Sequence, residues 1–139
     1  MRRVLLDTSV LVSGAIISLG PSARLVDAVR SGRLELVVCP TLIAELTRTL
    51  ALPRLARRVA PELAGPYIAL IDDLAVHYPD PTDIDPAACR DPNDAYLLAL
   101  ATTAAVDALV TGDKDLLVLT DHQPPVISPA AAVELLADG

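Results

Sequence analysis

The hydrophobic positions of the chain fall into short continuous runs separated by stretches of helical spacing. Val4-Leu5-Leu6, Leu34-Glu35-Leu36-Val37-Val38 and Ala108-Leu109-Val110 are runs of the kind that form strands buried on both faces. Val76-His77-Tyr78 and Val126-Ile127 are shorter runs of the same type. Between them, residues 9–17 predict a short helix interrupted by Gly20-Pro21. Pro21-Ser22 opens a second helix with Leu25, Val26 and Val29 on its apolar side, and Ser31-Gly32 closes it. Thr41 is the expected N-cap of a third, in which Leu42, Ile43, Leu46 and Leu50 repeat at helical spacing. Pro53 and Pro61 divide the middle into a short basic piece and a helix over 62–74, where Gly65-Pro66 could introduce a kink.

The Pro- and Asp-rich run 79–86 has no periodicity and reads as an exposed loop. Asp91-Pro92 can open the next helix, with Leu97, Leu98 and Ala101 as its buried face, and residues 130–136 form a closing one. Strands alternating with helices predict an α/β fold, a three-layer α/β/α arrangement around a central, mostly parallel sheet of four to five strands. At 139 residues the chain is expected to be one domain, 1–139, large enough to bury a core.

The polar residues that end the strands carry the candidate chemistry. Val4-Leu5-Leu6 stops at Asp7-Thr8-Ser9. Ala108-Leu109-Val110 stops at Thr111-Gly112-Asp113-Lys114-Asp115. Glu45 lies one turn inside the helix that follows the second strand, and Asp94 lies in the first turn of the helix that precedes the fourth. In parallel α/β sheets ligands bind beyond the carboxyl ends of the strands. One acid there is ordinarily a helix cap, and Asp7, Asp91 and Asp94 each suit that role. Four at corresponding positions are harder to explain as caps, because like charges brought together raise the energy of the fold unless something neutralises them. Hard divalent cations do so through oxygen ligands, and they support hydrolysis of phosphate esters.

Composition narrows the choice. Apolar residues make up 53% of the chain and mean hydropathy is +0.48, which argues against disorder. No apolar run reaches the roughly 18 residues of a membrane span. Arg2-Arg3 followed by so short an apolar segment does not make a secretory signal, so a cytoplasmic protein is expected. Cys39 and Cys89 match no metal-ligand spacing and are expected as buried thiols. The net charge of −7 argues against a large nucleic-acid footprint, though not against a small site where cations sit among carboxylates. Arg48, Arg54, Arg57 and Arg58 cluster; a solvated helix face is the favoured account, a phosphate-facing patch the alternative. Three tyrosines with no Phe or Trp leave no base-stacking platform. His77 and His122 are not placed to serve a Ser-His-Asp mechanism.

The ordered set Val-Leu-Leu-Asp7-Thr8-Ser9, Glu45, Arg90-Asp91-Pro92-Asn93-Asp94 and Thr111-Gly112-Asp113-Lys114-Asp115 resembles PIN-domain ribonucleases. The likeness is greatest to the bacterial, VapC-like branch that supplies the toxins of toxin–antitoxin pairs, and it spans residues 4–136. It implies that Asp7, Glu45, Asp94 and Asp113 are the catalytic acids and chelate Mg²⁺ or Mn²⁺, with Asp115 as a further ligand and a metal-activated water cutting RNA. Asp91 would be a ligand or, the favoured role, a cap. Thr8 or Ser9 would bond a metal-bound water or a neighbouring carboxylate, Thr111 would orient Asp113, and Arg90 and Lys114 would offset phosphate charge. Asn93 departs from the resemblance, since relatives often carry another acid there, which puts a second metal position in doubt. An RNA substrate, a cognate antitoxin and a homodimer are the partners the resemblance implies, with no membrane. Two alternatives stand beside it. One is a non-catalytic binding module whose acids are caps. The other is a haloacid-dehalogenase-type phosphotransferase, for which the spacing of Asp113 and Asp115 and the lack of an Asp at Ser9 are unfavourable.

Overall fold

The computed structural model describes residues 1–138. Five parallel strands form one sheet in the order β3-β2-β1-β4-β5. These are β1 (Arg3–Leu6), β2 (Glu35–Val38), β3 (Val76–His77), β4 (Ala108–Val110) and β5 (Val126–Ile127). Strand β1 is central: Val4 stands opposite Leu36 of β2 and Ala108 of β4, and Leu6 opposite Val110. Successive strand residues point to opposite faces. Val4, Leu5 and Leu6 are each fully buried, as are Leu36, Val37 and Val38, so both faces of the central strands are covered.

The cover comes from helices flanking the sheet. Helix α1 (Thr8–Ile16) packs on α2 (Pro21–Arg30) and α3 (Pro40–Leu50); α2 packs on α8 (Pro129–Asp138), and α3 on α5 (Pro61–Leu74). The remaining helices are short α4 (Pro53–Ala56), α6 (Ala95–Thr103) and α7 (Lys114–Leu117). Gly14 allows the close approach of α1 to α2, because a Cβ there would lie 2.8 Å from Cγ2 of Val26. Among the described residues no single helix is long and apolar enough to cross a membrane.

Several expected boundaries shift. Helix α1 begins at Thr8 rather than Ser9, with Asp7 as its cap. Thr41 is not the N-cap of α3: Cys39 holds that place and Pro40 is the first helical residue, where its missing N–H is no loss. The Thr41 amide is satisfied instead by Oδ1 of Asp80, 2.8 Å away, which leaves the loop after β3 to cap the helix. That backbone N–H holds the Asp80 carboxyl below its usual range. Pro53 and Pro61 each start a helix, and α5 runs on through Pro66. Both cysteines are free and buried, and burial pushes the Cys39 thiol up to about 11.

Asp80 therefore anchors the start of the helix that carries Glu45. Replacing it (Asp80→Ala) should lower stability by about 1 kcal/mol, the usual value for losing a cap, read as a lower midpoint in urea with an unchanged slope.

Candidate active site

Because all strands run the same way, their carboxyl ends form one edge, and the acids gather there. The centre is Asp7, the residue after β1, with only 5% of its surface exposed. Burial pushes its carboxyl above the ordinary range, opposed by three donors. Oδ1 accepts the Ser9 hydroxyl at 2.6 Å and the Val10 amide at 3.0 Å, so Asp7 caps α1. Oδ2 accepts the hydroxyl of Thr111, the fully buried residue after β4. Thr111 Oγ1 in turn accepts the Asp113 amide at 3.0 Å, which sets the turn into α7. Asp113 caps that helix by accepting the Asp115 amide at 2.9 Å.

Glu45 enters from the middle of α3. Its Oε2 accepts two hydroxyls, Thr8 at 3.0 Å and Tyr96 at 2.9 Å. Tyr96 belongs to the buried face of α6, and burial followed by the Glu45 charge pushes its phenol upward. Sequence reasoning passes over Tyr96, since a tyrosine in an apolar helix reads as core. Its only distinguishing signal is the polar tip that a buried tyrosine must satisfy.

Asp94 differs from the other acids. Asp91 caps the short 3-10 turn Pro92–Asp94 by accepting the Asn93 amide at 2.9 Å, so Asp91 has a structural role. Asp94 is the residue before α6, not inside its first turn, and its side chain makes no capping bond. Its carboxyl is pushed up to about 6, first by burial and then by the charges of Asp91, Asp113, Glu45 and Asp7. Asp7, Glu45, Asp94 and Asp113 are thus close enough to act on one titration. Asp115 lies 3.7 Å from the exposed guanidinium of Arg90. Lys114 and Asn93 are exposed at the rim. A cavity of about 370 Å³ opens beside Ser9, Gly112 and Asp113. The histidines lie apart: His77 bonds the Asp72 carbonyl and His122 that of Pro124.

Among the described residues no three His, Cys, Asp or Glu side chains converge closely enough to enclose an ion. The donor set nevertheless fits a hard divalent cation. It consists of carboxylate oxygens with hydroxyl support, and Mg²⁺ takes one or two carboxylates while keeping several waters. The upward shift of Asp94 comes first from burial and then from repulsion by the neighbouring acids, and a cation would relieve the second part.

That shift fixes a pH dependence. A carboxyl whose folded pKa lies near 6 holds its proton more tightly in the fold than in the unfolded chain. Its stabilising contribution is complete below about pH 4 and is lost as the pH rises through 6. Asp7, also raised, acts in the same direction. The cation-free protein should therefore melt lower at pH 7.5 than at pH 5, by about 3 °C for roughly 1 kcal/mol after allowance for solvent screening. Added Mn²⁺ should raise the melting temperature more at pH 7.5 than at pH 5, as read by scanning calorimetry. A melting temperature that climbs between those values without cation would contradict this electrostatic account.

Residues 3–115 match the family model described as PIN domain. Among solved structures the chain is similar to the crystal structure of PAE2754 from Pyrobaculum aerophilum. The TM-score is 0.70 at 20% identity, over 99% of this chain and 91% of that one, a likeness of fold. No curated protein matches the sequence. With the family match spanning most of its length, the chain belongs to the PIN domain family, whose members are generally nucleases.

Proposed function

We propose that the protein is a Mg²⁺- or Mn²⁺-dependent endoribonuclease whose site is the acid cluster at the carboxyl edge of the sheet. The observation that supports it most directly is Asp94: a carboxyl whose side chain makes no capping bond, held above its ordinary range first by burial and then by the charges of the other acids. In this reading Asp7, Glu45, Asp94 and Asp113 hold the cation, directly or through water. The bound cation supplies Lewis acidity, activating water and stabilising charge on the phosphodiester. Ser9 and Thr111 fix both oxygens of Asp7, and Thr8 and Tyr96 fix Glu45, so the ligands are oriented before substrate arrives. Arg90 and Lys114, exposed at the rim, offset phosphate charge. Family resemblance supports the finer assignment to the toxin of a toxin–antitoxin pair, with a cognate antitoxin, a homodimeric state and a cytoplasmic setting.

One observation favours the rival reading of a binding module: Asp7 and Asp113 both cap helices and no ready-made ion cage is present among the described residues. Cleavage of a mixed single-stranded RNA with Mn²⁺ or Mg²⁺, against EDTA, decides between them. The wild type should cut only with the cation, and Asp7→Asn should be slower by at least about 10³-fold while its fold survives. Metal-dependent cutting by Asp7→Asn at the wild-type rate would refute the assignment; failure of the wild type both to cut and to bind Mn²⁺ would favour the module.

Tyr96→Phe removes one of the two donors on Glu45. It should weaken Mn²⁺ binding about 10- to 100-fold in a calorimetric titration, the range for losing an orienting partner. An unchanged affinity would make Tyr96 a packing residue only.

A further inference from the structure

The arginines between 48 and 58 do not act as one patch. Arg48 and Arg57 are exposed outside the groove beside α1, whereas Arg54 and Arg58 line it. Arg54 lies in α4 and Arg58 just beyond it, four residues on. The groove holds about 460 Å³, and its other walls include Thr8, Ser9, Val12 and Ile16. Two of these belong to the acid site, since Thr8 bonds Glu45 and Ser9 bonds Asp7. The groove is therefore continuous with that site. Val12 and Ile16, four residues apart on α1, give it an aliphatic floor. Among the described residues neither Arg54 nor Arg58 pairs with a carboxylate, in a chain that carries a net charge of −7.

We propose that this groove is a substrate subsite for single-stranded RNA, a reading that rests on the ribonuclease assignment. The strand passes from the acid cluster along α1, and Arg54 and Arg58 hold a phosphate one or two nucleotides from the bond that is cut. A guanidinium pair binds a phosphate through several N–H donors at once. The ribose and base lie against Val12 and Ile16 without aromatic stacking, so the subsite selects an unpaired strand and not a particular base. Continuity with the acid site favours this occupant over a protein segment, because whatever fills the groove must pass Thr8 and Ser9 at the cluster itself.

The test separates binding from cutting. Affinity for a fluorescent single-stranded RNA of a dozen nucleotides is measured by anisotropy with Mg²⁺ present, in an Asp7→Asn background, across a salt series. Arg54→Gln combined with Arg58→Gln should weaken binding on the order of tenfold at low salt and flatten the dependence of log Kd on log salt by about 0.7, the value for one phosphate on a single strand. Arg30→Gln, on the exposed end of α2, makes a charge change of the same kind and should alter neither. Equal affinity and slope for the double variant and its parent would overturn the subsite, as would equal weakening by Arg30→Gln or no RNA binding at all. Capture of an acidic peptide that depends on Arg54 and Arg58, with RNA binding untouched, would assign the groove to a protein partner and also overturn it. If the double variant loses RNA affinity while the wild type cuts nothing under any cation, the ribonuclease reading fails and the RNA groove stands.

Discussion

Asp7 is a carboxylate that follows the fully buried Val4, Leu5 and Leu6 of the central strand, and burying it is tolerable only because three donors replace water. Those donors come from separate parts of the chain. The Ser9 hydroxyl and Val10 amide belong to α1, whose first turn Asp7 caps. The Thr111 hydroxyl belongs to the end of β4, 104 residues away. The same strand end receives the Asp7 amide on the Val110 carbonyl, so backbone and side chain lock β1 and β4 together. Thr111 then passes the constraint to Asp113 and α7. One buried carboxylate thus fixes the exit of two strands and the start of two helices.

The edge it organises has a charge problem that capping solves only in part. Helix N-termini attract anions, and Asp7, Asp91 and Asp113 each accept an amide there. Glu45 has no helix start to serve and relies on two hydroxyls. Asp94 has neither, and it is the carboxyl that burial, followed by the charges of the others, pushes up to about 6. The protein's own dipoles therefore satisfy some acids and leave one in excess. A fold under no demand at this edge would relieve that excess by substitution. The proposed cation makes retaining it intelligible, because the repulsion becomes the source of affinity.

How much of this was readable beforehand depends on the range of the interaction. The fully buried runs of β1, β2 and β4 announced a sheet covered on both faces, and the acids that end two of them marked the edge. Periodicity reports neighbours along the chain, so it places Glu45 and Asp94 on their helices. It says nothing of which hydroxyl finds which carboxylate. Tyr96 reaches Glu45 across 51 residues, a contact with no trace in the local pattern. Asp80 serves α3 from a loop that carries no pattern at all, so the local sequence points to Thr41 as the cap while the Thr41 amide is met from 39 residues away. Thr111 accepts the Asp113 amide two residues on, a local contact, but its bond to Asp7 joins two strand ends and has no local signature. Arg54 and Arg58 looked equivalent to Arg48 and Arg57 until the turn after α4 set two of the four against α1.

An acidic nuclease for an acidic substrate is not a contradiction, but it constrains how the proposed enzyme works. A basic protein gathers nucleic acid indiscriminately, because most of its affinity is released counterions. A chain of net charge −7 has little such attraction, and long-range repulsion slows encounter with any polyanion. Productive binding then depends on a few placed contacts: a cation that inverts the sign of the acid cluster, and arginines close enough to act inside the Debye length of about 8 Å at physiological salt. Each contact works only for a strand that can lie in the groove while reaching the acids. Weak general affinity combined with local placement makes binding depend on whether a strand can seat in the groove and not on charge alone. In the proposed enzyme the same acidity would limit indiscriminate cutting of RNA, because polyanions gain little from long-range attraction.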